Sequence, residues 1–112
     1  MAYNEQLAAR LRKALAHLPN VGEKKMFRGL TFMVNDKMCI SVSGNRLMCR
    51  IDPAIHDELI QMEGCETVTM GGRKYKGYVY VNEDCVTTKK DFDRWVHLAL
   101  AYNDKAKSSR RK

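Results

Sequence analysis

The stretch MCISVSGNRLMCRI, residues 38–51, decides the fold because it predicts a β-hairpin whose register can be worked out. Gly44-Asn45 is typical of a two-residue turn between two apolar strands. The pairs predicted across this turn are Ser43–Arg46, Val42–Leu47, Ile40–Cys49 and Met38–Ile51. Period-two alternation places one apolar set on the buried face, namely Met38, Ile40, Val42, Leu47, Cys49 and Ile51. The opposite face receives Cys39, Ser41, Ser43, Arg46, Met48 and Arg50.

The preceding run MFRGLTFMV ends at Val34 and predicts a third strand of the same meander. If Asn35-Asp36-Lys37 is a three-residue loop, Val34 pairs with Met38. Leu30 and Phe32 then join Val34 on the buried face. A two-residue loop would send these three side chains outward.

The segments ETVTM and KYKGYVYV, on either side of GGR, predict a second hairpin. Gly71-Gly72 turn the chain, and Gly77 indicates a bulge or a close backbone approach within the strand. A phosphate-binding loop is excluded, because Tyr78-Val79 stand where such a loop has Lys and Ser or Thr. Alternation assigns Tyr75, Val79 and Val81 to the buried face and Lys74, Lys76, Tyr78 and Tyr80 to the outer face.

Three amphipathic segments predict helices. Asp52-Pro53 is a typical start for the second, and Thr88 with Asp91 resembles a capping box at the start of the third, from about Lys89 to Asp104. The side chains expected to be buried are Leu7, Leu11, Ala14, Leu15 and Leu18 in the first helix, Ile55, Leu59 and Met62 in the second, and Phe92, Trp95 or Val96, Ala99 and Tyr102 in the last. The order α-β-β-β-α-β-β-α predicts a two-layer α+β fold, with helices on one face of a five-stranded antiparallel sheet.

The positive charge is concentrated at the C-terminus. The chain has 112 residues and a net charge of +7, and the last eight residues, KAKSSRRK, hold five of its cations and no acid. Removing those five charges leaves +2 for residues 1–104. We therefore expect one domain over residues 1–104 and a basic, disordered tail over residues 105–112. No apolar run approaches the roughly 20 residues of a membrane span, and the N-terminus is no signal peptide, so a cytoplasmic protein is expected.

The reactive residue types form no recognisable site. The four cysteines have no C-x-x-C spacing, and free thiols are expected, with neither a metal nor another cofactor. Cys39 and Cys49 fall on opposite predicted faces and cannot form a disulfide with each other. His17, His56 and His97 lie on three different predicted helices, and local spacing brings none of them to Cys85 as a base to a nucleophile. His56 is expected on the polar side of its short helix. The sequence therefore predicts no enzyme.

One candidate binding surface remains on the outer sheet face, formed by Arg46, Met48, Arg50, Lys74, Lys76, Tyr78 and Tyr80. Three interpretations apply to it. It can be a solvated sheet surface, a nucleic-acid site in which tyrosines stack on bases and cations meet phosphates, or a homodimer or protein-partner interface, for which Tyr, Met and Arg are suitable.

The segments KKMFRGLTFMVNDKM, RLMCRIDP, MGGRKYKGYVYV and WVHLALAY together resemble the N-terminal domain of the TfoX/Sxy competence regulators, in the order of that family. One departure is Arg28, where the family commonly has a second glycine before Gly29. The resemblance implies a two-layer α+β fold similar to secretion chaperones and brings no catalytic residues.

Full regulators of the TfoX type carry a second domain and promote competence-gene transcription together with the cyclic-AMP receptor protein. A chain of 112 residues leaves no room for that domain, so we expect a stand-alone N-terminal domain. We expect a non-enzymatic interaction module that acts through protein contacts, with nucleic-acid binding as the alternative.

Overall fold

A computed structural model describes residues 3–26 and 29–105. Within these ranges, six strands form one antiparallel sheet in the order β1-β2-β3-β4-β6-β5. The strands are β1 (Val21–Met26), β2 (Gly29–Val34), β3 (Lys37–Ser43), β4 (Arg46–Arg50), β5 (Cys65–Met70) and β6 (Arg73–Asn82). The helices are α1 (Glu5–Leu15), α2 (His56–Leu59) and α3 (Lys89–Asn103), with 3₁₀ turns at Pro53–Ile55 and Glu83–Val86.

The predicted five-strand count is wrong, because β1 is a sixth strand at one edge of the sheet. Its sequence, VGEKKM, contains three charged residues in succession and shows no apolar alternation. Charges of this kind are typical of an edge strand, where they discourage pairing with another chain. The expectation of a disordered tail concerns mainly residues 106–112, which lie outside the described residues, as does Arg28.

The hairpin between β3 and β4 has the predicted register next to its turn. Ser43 pairs with Arg46, and the next two predicted pairs, Val42–Leu47 and Ile40–Cys49, are also present. The fourth predicted pair, Met38–Ile51, is absent, because the two side chains lie on opposite faces. Gly44 has a φ of +59°, a conformation that glycine adopts without steric cost. The turn and the alternating pattern together determine this register.

The connection between β2 and β3 is a two-residue turn and not the three-residue loop, because Val34 pairs with Lys37. Asn35 and Asp36 have φ values of +55° and +64°, as a type I′ hairpin turn requires. In a regular hairpin, the shorter loop would send the buried side chains of β2 to the outer face. A bulge in β3 keeps them on the buried face.

The bulge lies where the register changes from Phe32–Ile40 to Met33–Met38, so Cys39 is the extra residue on β3. Phe32 therefore stays on the buried face, as predicted. Met38 moves to the outer face and Cys39 joins the buried core, the reverse of the prediction for both residues. Cys39 and Cys49 share one core and are nevertheless both free thiols.

The main core lies between the sheet and the helices, which confirms the two-layer α+β fold. From the helices it receives Leu7, Ala8, Leu11, Leu15, Leu59, Phe92, Trp95, Val96 and Ala99. Asn4 caps α1 by accepting from the N–H groups of Gln6 and Leu7, and Thr88 caps α3 by accepting from the Asp91 N–H at 3.1 Å. No helix in the described ranges is long and apolar enough to cross a membrane.

Five of the side chains that we expected in this core are less buried than predicted, namely Ala14, Leu18, Ile55, Met62 and Tyr102. The first three are half-buried and pack against the core. Met62 is 37% exposed, because α2 ends three residues earlier, at Leu59. Tyr102 is half-buried near the end of α3.

Candidate interaction surface

The outer face is the side of the sheet that faces away from the helices. At its centre, Met33, Met38, Met48 and Val68 are buried and form a second apolar cluster, separate from the main core. Half-buried side chains packed against them complete the methionine–tyrosine cluster, namely Met70, Tyr75, Tyr78 and Tyr80. Every member comes from a strand, so long side chains of the sheet itself cover this cluster.

Two hydroxyl groups lie buried on the outer face beside this cluster. Thr31 Oγ1 and Ser41 Oγ are 3.0 Å apart on neighbouring strands. Because the Ser41 hydroxyl donates to the Leu30 carbonyl at 3.2 Å, the Thr31 hydroxyl donates to Ser41 Oγ. Both polar groups are therefore satisfied within the sheet and need no ligand.

Two arginines of β4 lie against tyrosines of β6. The Arg46 guanidinium is 3.5 Å from the centre of the Tyr80 ring, and the Arg50 guanidinium is 5.6 Å from that of Tyr78. Both distances are within the range of a cation–π interaction. Arg46 also forms an ion pair with Glu66 at 3.5 Å. One face of the Tyr80 ring is thus covered by an arginine of the same sheet.

The two lysines of the predicted surface do not lie with the tyrosines. The register of β5 and β6 changes from Val68–Tyr75 to Thr67–Val79, so Lys76, Gly77 and Tyr78 are extra residues on β6. This bulge places Tyr75 on the outer face, where we had expected it to be buried.

The same bulge determines where Lys74 and Lys76 point. Lys74 alternates with Tyr75 and therefore lies on the helix side. Lys76 lies beside Asp57 of α2, with a distance of 4.0 Å between its Nζ and the carboxylate. The predicted surface is thus split. Arg46, Met48, Tyr78 and Tyr80 remain together on the outer face. The Arg50 guanidinium lies at the edge of that face, 5.6 Å from the ring centre of Tyr78 and 5.8 Å from that of Tyr102 in α3.

Gly77 supports the bulge, as its position in the strand pattern predicted. Its φ is +94°, and its carbonyl accepts from the Ile51 N–H at 2.8 Å. The Gly77 N–H donates to His56 Nδ1 at 2.9 Å. Thr67 Oγ1 lies 2.9 Å from the other ring nitrogen, Nε2.

His56 is buried, so the expectation of a polar surface position is wrong. Because Nδ1 accepts, the neutral ring carries its proton on Nε2 and donates it to Thr67. Burial lowers the pKa of His56, which favours this neutral form. The role of His56 is to hold α2 against the β6 bulge.

The four cysteines are free, as expected. Burial raises the pKa of Cys39 to about 12 and that of Cys65 to about 11, and it also raises the pKa of Cys49 and Cys85. Cys85 is half-buried, and its thiol donates to the Glu63 carbonyl at 3.2 Å. Thiols in such surroundings are poor nucleophiles at neutral pH.

Within residues 3–26 and 29–105, no group of three or more His, Cys, Asp or Glu side chains could hold a metal ion. His97 is exposed on α3, and His17 is exposed in the turn that follows α1, outside the helix in which we expected it.

The fold that carries this surface is a two-layer α+β domain with an open antiparallel sheet. The family model of the TfoX N-terminal domain matches residues 13–102. This match covers most of the chain, which therefore belongs to the TfoX N-terminal domain family, as the resemblance indicated. That family is of a regulatory type and is not known as enzymatic. No curated protein and no solved structure matches the chain, so the likeness to secretion chaperones stays a prediction.

Proposed function

We propose that the chain is a cytoplasmic, non-enzymatic regulatory module that acts by binding a protein on the outer face of its sheet. Family membership supports the regulatory class. The observation that carries the binding surface is the methionine–tyrosine cluster with Arg46 and Arg50 beside it. Tyrosine, arginine and methionine are the residue types enriched in protein interfaces.

The construction of the outer face also suits a binding surface. Its half-buried tyrosines are rigid and amphipathic, and they lie over methionine side chains that can repack around a partner. The other side of the sheet is occupied by the helices and the main core. The outer face is therefore the surface on which a partner can bind without disturbing the fold.

A second copy of the chain is one candidate partner. Sedimentation at high micromolar concentration tests this, and a clean monomer would remove the homodimer while leaving a different protein as the partner. Nucleic-acid binding is the less favoured alternative. A base stacked on Tyr80 would have to displace Arg46 from its ring, and Lys74 and Lys76 are directed away from the tyrosines.

The regulatory role is tested by transcript profiling in the source organism after deletion of the gene. The expected result is a defined set of changed transcripts, restored by the wild-type chain and by the helix-side control Lys74→Ala. Tyr75→Ala, adjacent in sequence but on the outer face, should fail to restore them. Unchanged transcripts after deletion would refute the regulatory role. Full restoration by a folded Tyr75→Ala protein would refute the surface.

A further inference from the structure

The charge on the outer face is predominantly positive. Directly paired residues share a face, so Lys24 lies outward with its partner Thr31, and Arg73 lies outward with its partner Met70. Arg46 and Arg50 lie against Tyr80 and Tyr78. The charged strand residues on this face of the described sheet are Lys24, Glu66, Arg46 and Arg73. Arg50 lies at its edge, between Tyr78 and Tyr102 of α3. Cations therefore outnumber the single strand carboxylate of this face.

The ion pair with Glu66 leaves Arg46 accessible to another anion. The Arg46 and Glu66 side chains are 38% and 68% exposed, and their closest approach is 3.5 Å. An ion pair of this kind is weak in water, because solvent screens both charges. A carboxylate from a partner could therefore bind the guanidinium, which already lies fixed above Tyr80.

Between these cations the surface is apolar. Met70 and Tyr75 lie near the turn of the β5–β6 hairpin, beside Arg73, while Tyr78 and Tyr80 lie beside the two arginines of β4. A ligand that matches this pattern carries carboxylates at intervals, with apolar side chains between them. Nucleic acid matches it less well, because its phosphates would lie over the methionine–tyrosine cluster.

We propose that the partner binds through an acidic segment with interspersed apolar residues, laid across β4 and β6 on the outer face. This inference rests on the proposed function and adds the chemistry of the partner. Carboxylates of the segment bind Arg46 and Arg73, and its apolar side chains pack on the tyrosines and Met70. Arginine suits this role, because its planar group binds carboxylates in a bidentate manner.

Fluorescence anisotropy with the full chain tests the proposal. The probe is a labelled peptide of alternating Glu and Leu, compared with Glu–Ser and Lys–Leu peptides of equal length and with a single-stranded oligonucleotide. Only the Glu–Leu peptide should bind well, with the Glu–Ser peptide weaker by roughly tenfold through loss of apolar contact. Equal binding of the Glu–Leu and Lys–Leu peptides, or binding of the oligonucleotide alone, would overturn the proposal.

Neighbouring residues on opposite faces supply matched variants. Arg73→Glu changes the outer face and Lys74→Glu the helix side, with the same change in net charge on the same strand. Both side chains are exposed, so neither variant should alter folding. Arg73→Glu should weaken Glu–Leu binding by roughly fivefold to tenfold, and Lys74→Glu by less than about twofold. Equal losses of binding in both variants would show that the peptide is attracted to positive charge on either side of the sheet, and this would refute the outer-face site.

Lys24→Glu and Lys25→Glu form a second matched pair at the far edge of the sheet, with Lys24 on the outer face and Lys25 on the helix side. The two variants should differ less in Glu–Leu binding than Arg73→Glu and Lys74→Glu do. Asp36 and Glu23 line the same surface hollow of about 650 Å³ as Lys24, and their negative charges would oppose the binding of an acidic peptide there. A larger effect at Lys24 than at Arg73 would place the acidic segment on β1 and β2, and the proposal for β4 and β6 would be wrong.

Repeating the transcript experiment with Arg73→Glu and Lys74→Glu separates the two proposals. If the Glu–Leu peptide does not bind but Arg73→Glu alone fails to restore regulation, the partner chemistry is wrong and the proposed function stands. If the peptide binds at Arg73 but Arg73→Glu restores regulation fully, the acidic-segment site stands and the proposed function is wrong.

Discussion

The two faces of the sheet are built in different ways. On the helix face, side chains such as Phe32 and Leu47 are buried in the same core as residues of α1 and α3. On the outer face, Met48 is as fully buried as Leu47, although its cluster contains only strand residues. Burial on one face thus depends on a second layer, and on the other it depends on long side chains of the same layer.

The two kinds of packing should differ in how much they stabilise the fold and in how easily their side chains rearrange. Packing between two layers leaves little freedom, because each side chain fits between others that are themselves fixed. Side chains that cover one another on a single surface can move apart and pack around a partner. We therefore expect the helix face to supply most of the folding stability and the outer face to tolerate change.

The largest expected effect comes from comparing Phe32 with Met33, which are adjacent on β2 and belong to different clusters. Phe32→Ala should lower the free energy of unfolding by about 3–5 kcal/mol, because the cavity opens between two layers. Met33→Ala should cost about 2 kcal/mol, because nearby flexible side chains can fill the space. Urea denaturation measures both. Equal costs would show that the two faces are equally rigid.

The β6 bulge separates the two faces of that strand, and Gly77→Ala tests it. The φ of +94° is unfavourable for alanine, and the added Cβ would lie 3.2 Å from Pro53 Cγ. We expect a loss of about 1–3 kcal/mol in unfolding free energy. The control is Gly22→Ala, because a Cβ there has no atom within 4 Å. If both variants are equally stable, the bulge does not require glycine.

A pH titration of stability tests the contact of His56 with the β6 bulge. Burial holds the pKa of His56 below its ordinary value of 6.5, while Asp57 raises it and Lys76 lowers it. The stabilisation by the neutral ring is therefore complete above pH 6.5 and is lost as the pH falls below that value towards the folded-state pKa.

Urea denaturation of the wild type and two variants across this range is the measurement. His56→Gln should flatten the pH dependence, because it removes the titrating group. The exposed His17 provides the control, and His17→Gln should leave the slope unchanged. A slope that persists without His56 must come from another group.

The smallest effect is expected at Arg46. Arg46→Lys keeps the charge but removes the planar group above Tyr80, so the unfolding free energy should fall by only about 0.5–1 kcal/mol. Arg94→Lys, exposed on α3, is the control and should change nothing measurable. A loss at Arg46 as large as that at Phe32 would mean that the outer face is not the more adaptable one.

The sequence predicted those parts of the fold in which turn chemistry and alternation agree. The β3–β4 register follows from Gly44-Asn45 and the alternating residues around it, and Thr88 correctly marks the start of α3. Alternation of apolar residues did not predict β1, because this edge strand has three charged residues in succession and no apolar periodicity.

The bulges explain why only some residues of the candidate surface lie on the face that the sequence predicted for them. Met38 and Cys39 are both apolar, so composition does not reveal which of them faces the helices. Gly77 did signal an irregularity, but not that three extra residues would direct Lys76 towards α2. Arg46, Met48, Tyr78 and Tyr80 were placed together correctly, because the register there follows the uninterrupted β4 strand.

The Gly77 amide joins the two sides of the sheet at one point, since its N–H donates to His56 of α2 while its strand carries the outer tyrosines. Exchange of this single proton with deuterated solvent therefore reports how often the bulge opens. If this proton exchanges only through global unfolding, the bulge does not open by itself in the folded protein. If it exchanges faster, through local opening of the bulge, a ligand bound over the tyrosines would be detected on the opposite side of the sheet as slower exchange of this amide.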